Sequence, residues 1–179
     1  MGFALVLGPP SARADVQTSA RLAAGTALPL RTPVGFAFDG ALRADVLFGP
    51  SRHDAWRVGP GIDVVTAGLA SLEPAAGLVL LAPVVADESS LWLTLSAGHA
   101  FAEASRRGPF ARLAASWGFR PYNYFSVYGF ALGAYFSIRH SLGGEPAWEV
   151  AAGVEIDLVF LVYIPVVALG TALGASDPR

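Results

Sequence analysis

The sequence predicts an all-β protein: an antiparallel, up-and-down transmembrane β-barrel of about eight strands. Three observations lead there. Apolar residues alternate with small or polar ones at a period of two along most of the chain, which is the side-chain period of a strand. Where a segment holds several charges, they keep to one parity. Finally, the chain of 179 residues is 54% hydrophobic and only 15% charged, against about 25% charged in an ordinary soluble domain.

The length suits one domain. A net charge of −2 offers nothing to attract nucleic acid. All twelve basic residues are arginine. The absence of cysteine excludes disulfides, thiolate metal sites and cysteine nucleophiles. At the start, the apolar run Phe3 to Leu7 precedes Ala12-Arg13-Ala14 and Asp15. Ala-x-Ala is the small-residue pattern of a signal-peptidase site. Residues 1–14 are therefore read as the remnant of an export signal, 15–164 as the barrel and 165–179 as a C-terminal extension or tail.

The elements follow in order. Residues 16–28 set Gln17, Ser19 and Arg21 against Val16, Ala20 and Leu22. Residues 34–48 give the clearest strand: Phe36, Phe38, Leu42, Val46 and Phe48 oppose Asp39, Arg43 and Asp45. In residues 56–70, Trp56, Val58, Ile62 and Val64 oppose Arg57, Gly59, Gly61 and Asp63. Gly59-Pro60-Gly61 inside that segment reads as a bulge or an edge, because proline cannot donate to a ladder. Residues 75–85 are apolar on both faces. Residues 91–102 set Leu91, Leu93 and Leu95 against Trp92, Thr94 and Ser96. Residues 109–120 set Leu113, Trp117 and Phe119 against Arg112, Ser116 and Arg120. Residues 128–139 and 148–160 repeat the pattern, with Arg139, Glu149, Glu155 and Asp157 all on the less apolar face. Short turn signals separate the segments, among them Gly49-Pro50, Ser71-Leu72-Glu73-Pro74 and Gly143-Gly144-Glu145-Pro146.

Alternation by itself also fits a soluble barrel holding an apolar ligand. Two features favour lipid outside. The polar face is mostly Gly, Ala and Ser, which suits a cramped eight-stranded interior and not a water-facing surface. Several segments exceed ten residues, as a tilted membrane strand requires. The inward charges are then Arg21, Asp39, Arg43, Asp45, Arg57, Asp63, Arg112, Arg120, Arg139, Glu149, Glu155 and Asp157. Buried charges must be paired, so these form an ion-pair plug. Glu155 and Asp157 are expected near Arg21 and Arg139, and Asp39, Arg43 and Asp45 near Arg57 and Asp63. Trp56, Trp117, Phe119 and Tyr124 fall at one rim and Trp148 at the other, where rings favour a membrane interface. A helical membrane protein is the remaining alternative, since residues 121–138 and 158–175 are uncharged.

The run Gly153-Val154-Glu155-Ile156-Asp157-Leu158-Val159-Phe160 resembles the last-strand signal of bacterial outer-membrane barrels, a Gly followed by apolar residues at alternate positions. With the strand pattern from Asp15 to Phe160, the chain resembles the small outer-membrane barrel superfamily, the OmpA/OmpX-like group. That resemblance implies an outer-membrane location and a structural or envelope-integrity role. It also implies lipid contact, including lipopolysaccharide, and handling by the barrel-assembly machinery. It implies no cofactor. The chain departs from the group by continuing past Phe160 to Arg179, and its short loops argue against adhesion.

His140, Ser141 and Glu145 or Glu149 invite comparison with barrel lipid A deacylases, but adjacent strand residues point to opposite faces. No histidine pair has metal-ligand spacing. Arg106-Arg107, in a predicted outer turn, is a candidate contact for lipopolysaccharide phosphates.

Overall fold

In the computed structural model the described residues are 14–30, 35–50, 55–83, 89–101, 107–118, 132–143 and 147–158. They form β1 (Ala14–Pro29), β2 (Ala37–Pro50), β3 (Arg57–Ala67), β4 (Glu73–Pro83), β5 (Ser90–Ala100), β6 (Gly108–Gly118), β7 (Leu132–Ser141) and β8 (Trp148–Asp157). Each strand pairs antiparallel with its sequence neighbours, and β8 returns to β1, so the sheet closes into an up-and-down barrel. The lower rim is defined here as the end where β1 begins and β8 ends. Among the described residues no helix is long and apolar enough to cross a membrane. Residues 132–138, part of the uncharged stretch that suggested a helix, lie in β7.

Register sets the geometry. The pairing Ser19, Asp45, Gly61, Gly77, Ser96, Arg112, Arg139, Glu149, followed once around, returns to β1 at Pro29. The shear is therefore 10 residues over eight strands. With about 3.3 Å per residue and about 4.8 Å between strands, this means a tilt of about 40°. An eleven-residue strand such as β3, β4, β5 or β6 then spans about 27 Å along the barrel axis.

The alternation decides which residues line the interior. In β3, Arg57, Gly59, Gly61, Asp63, Val65 and Ala67 are buried, and Val58, Pro60, Ile62 and Val64 are exposed. The same parity holds around the barrel. Val16, Leu22, Phe38, Leu42, Phe48, Leu78, Leu95, Leu113, Phe136 and Val154 are all exposed on the outer wall. Small inward residues make room for a few large ones. Gly25 pairs with Gly153, and a Cβ at either position would meet the Tyr135 side chain at 2.6 or 2.8 Å. The two glycines form a slot in which Tyr135 lies across the interior.

Several boundaries differ from expectation. β3 stops at Ala67, and Gly68 and Leu69 turn with φ of 60° and 59°; the alternation in residues 68–70 is accidental. Glu73 and Pro74, read as a turn, begin β4. Gly49 and Pro50, also read as a turn, extend β2 to pair with Asp15 and Ala14. β6 starts at Gly108, one residue ahead of the segment expected from 109. Gly59-Pro60-Gly61 is neither edge nor bulge. The same register holds on both sides, through Asp45–Gly61 and Phe48–Val58, with only the intervening ladder pairs missing. A Cβ at Gly59 would lie 1.9 Å from the Val46 carbonyl oxygen, so a glycine is needed for this close approach. The segments 121–131 and 159–179, including any strand after Phe160, lie outside the described residues.

Candidate functional site

The interior is filled in layers. Nearest the lower rim, Leu47, Val79, Leu81 and Trp92 form an apolar cluster, none more than 2% exposed. This explains β4, which looked apolar on both faces: its inward residues pack a plug. The Arg21 guanidinium lies 5.0 Å from the centre of the Trp92 ring and joins the plug to the charges above it.

The first charge cluster centres on Glu155. One carboxylate oxygen accepts from Arg21 at 3.0 Å and the other from Arg43 at 2.9 Å. Arg21 also donates to Asp45 at 2.7 Å. Arg21 and Arg43 are direct neighbours across the β1–β2 ladder, so without a shared anion they would repel. Asp157 accepts from Ser19 at 3.1 Å and Asp63 from Ser96 at 3.2 Å. Above them Tyr135 donates to Asp39 at 2.5 Å, with the Arg43 guanidinium 4.5 Å from its ring centre.

The second cluster lies toward the upper rim. Arg112 and Arg139 face each other directly across β6 and β7. Both sit 3.0 Å from the same oxygen of Glu73. Their guanidiniums lie 5.1 and 4.7 Å from the centre of the Phe110 ring. Arg139 also donates to Ser141 at 3.0 Å and pairs in the ladder with Glu149.

Of the twelve charges read as inward, Arg120 lies outside the described residues. The other eleven (Arg21, Asp39, Arg43, Asp45, Arg57, Asp63, Arg112, Arg139, Glu149, Glu155 and Asp157) are all buried. Their pairing follows expectation in part. Glu155 meets Arg21 as expected, whereas Arg139 meets Glu73, Asp45 meets Arg21 on β1 and Arg43 meets Glu155 on β8. The reason is the shear. Each step to the next strand shifts the level by about 3 Å along the axis, so side chains at one height belong to strands that are not adjacent. Glu73 was missed altogether, although it is fully buried. Its signal was parity: it shares the inward parity of Ala75, Gly77, Val79 and Leu81.

Among the rim aromatics, Trp56, Trp117 and Trp148 are exposed on the outer wall. Trp117 donates to Ser89 at 3.1 Å. Phe119 and Tyr124 lie outside the described residues. Trp56 precedes β3 and Trp117 ends β6, both at the lower rim, while Trp148 opens β8 at the upper rim.

His140 faces outward, stacked on Trp148 at 4.2 Å, and Ser141 is buried in the interior beside Arg139. The two point to opposite sides of the wall, so these positions do not assemble a nucleophile and its base. Among the described residues no group of three or more His, Asp or Glu is arranged to hold a metal. Comparison with protein-family models, curated proteins and solved structures returned no match to this chain.

Proposed function

We propose that the chain is an integral β-barrel of a bacterial outer membrane, in the manner of the OmpA/OmpX-like group it resembles. Its lumen is packed and charge-paired, and its role is structural, in envelope integrity and lipid contact, without catalysis. One observation carries the reading: the barrel is inverted relative to a water-soluble one. Arginines and carboxylates point inward, and the large apolar residues point outward. Of the described side chains, Arg107 is the one charged group that is exposed. A surface in water would carry mixed charges over about a quarter to a third of its residues, and an apolar area of this extent marks a membrane or partner surface. The strand height of about 27 Å agrees with an apolar band of about 25 Å in membrane barrels. A soluble barrel for an apolar ligand would need an apolar interior, and here the interior carries the ion pairs.

Two findings favour a structural role over conduction. The Leu47, Val79, Leu81 and Trp92 cluster packs in the lower part of the lumen, and two ion-pair clusters lie above it. Gel mobility tests the reading. Protein folded in detergent should run faster unboiled than boiled in SDS, as a closed, resistant barrel does. Identical mobility, with protein that stays monomeric in plain buffer, would refute it.

A further inference from the structure

The outer wall carries few ionisable side chains, and they are grouped. Among the described residues they are Arg107, His99 and His140. All three lie at the upper rim on neighbouring strands. His99 on β5 pairs with Pro109 of β6, and His140 on β7 pairs with Ala111 of β6. Arg107 immediately precedes β6. Between the two imidazoles, β6 presents only Pro109 and Ala111, so the wall is low there. Each imidazole rests on an aromatic ring: His99 lies 5.1 Å from Phe101, and His140 stacks on Trp148 at 4.2 Å with 25° between the planes. Phe101 and Trp148 are themselves more than half exposed.

Arg107 is exposed and has no ion pair among the described residues. Among the described residues no carboxylate faces outward to balance it: every described acidic side chain whose burial is defined points into the lumen. A cation at the edge of an apolar wall, flanked by two imidazoles and with no counter-ion among the described residues, suits an anion from outside. We propose that this sector of the upper rim docks the phosphorylated headgroup of a glycolipid of the lipopolysaccharide class. The proposal rests on the membrane reading above. Arg107 takes the phosphate through charge-assisted hydrogen bonds, with His99 and His140 as further donors. The three groups span two inter-strand steps, about 10 Å, which is wider than a single phosphodiester and matches a phosphorylated sugar. Phe101 and Trp148 offer ring faces to that sugar, and the acyl chains continue down the wall over Leu113.

Native mass spectrometry of the detergent-folded protein tests this with three probes: diphosphorylated lipid A, its monophosphorylated form and phosphatidylglycerol. Wild type should retain diphosphorylated lipid A most strongly, and retention should fall with salt. Arg107→Gln should weaken it about fivefold, from about 1 kcal/mol per basic group near an anionic lipid surface. Arg107→Lys should keep most of the binding, and His99→Asn with His140→Asn should reduce it. Equal retention by wild type and Arg107→Gln, or retention indifferent to salt, would overturn the site. Phosphatidylglycerol held as tightly as lipid A, and lost in the same variants, would overturn the glycolipid assignment. Heat-modifiable mobility of each protein reads the barrel separately: a resistant barrel without lipid A preference refutes only the site, whereas a detergent-independent protein refutes the membrane reading.

Discussion

Glu73→Ala is the most informative single substitution in the lumen. Glu73 is fully buried, and one of its oxygens lies 3.0 Å from both Arg112 Nη2 and Arg139 Nε. Those two nitrogens are therefore no more than 6 Å apart. Without the carboxylate, two guanidiniums face each other across the ladder in a site closed to water. Losing one partner of a buried pair costs about 3–5 kcal/mol. Two unit charges at about 6 Å, with an effective dielectric of about 20, repel by about 3 kcal/mol, and this contributes to that cost. Glu149, opposite Arg139, offsets part of it, so a loss of about 3 kcal/mol is expected. Urea unfolding of detergent- or vesicle-folded protein, followed by tryptophan fluorescence, measures it. Glu73→Ala with Arg112→Leu should recover at least about 1 kcal/mol of the loss, since residues in one network are not additive. A single variant within about 1 kcal/mol of wild type, with no coupling to Arg112, would refute the upper ion-pair cluster.

Further outcomes follow from the same geometry. Glu155→Ala, which strands both Arg21 and Arg43, should cost about 3–5 kcal/mol in the same unfolding assay. Tyr135→Phe removes the one hydrogen bond to Asp39 that its ring can make, and should cost about 1–3 kcal/mol. Gly59→Val must displace the Val46 carbonyl and should lower the yield of the heat-resistant form in a refolding gel by several fold. Leu42→Arg, placed halfway up the outer wall, should destabilise the vesicle-folded protein by about 2–4 kcal/mol. The same change in a soluble barrel would be close to neutral.

Much of the fold is legible in residue parity. The charges of β2, β3 and β8 sit on one face each, so strands and interior follow together. The failures have local causes. Gly and Pro read as punctuation, yet Gly49-Pro50 and Pro74 belong to strands; Pro50 and Pro74 sit at strand ends, where a missing N–H costs little. Glu73 was lost because its neighbours Ser71, Leu72 and Pro74 resemble a turn. Trp92 and Tyr135 could be placed on the inner parity but not assigned a task. What they do depends on small residues of other strands, Gly25 and Gly153 for Tyr135, and on the height at which the shear brings them. Barrel closure made the Arg21–Glu155 pair legible, but the partners of Glu73 and Arg43 were not, for the same reason. Arg112 on β6 meets Glu73 on β4, and Arg43 on β2 meets Glu155 on β8, and no pattern within one strand encodes the shear of 10.

On the proposed reading, the outer wall meets lipid and the inner wall meets paired charge. The chain has no cysteine, so single spin labels can be placed cleanly at Leu42, Ala44 and Ile62 on the outer wall and at Ala41 and Val65 inside. Accessibility to oxygen and to a water-soluble nickel complex is then measured in vesicles by electron paramagnetic resonance. High oxygen and low nickel accessibility are expected at Leu42, Ala44 and Ile62, and low values of both at Ala41 and Val65. Nickel access at Leu42 and Ile62 comparable to that of a label in water would contradict it.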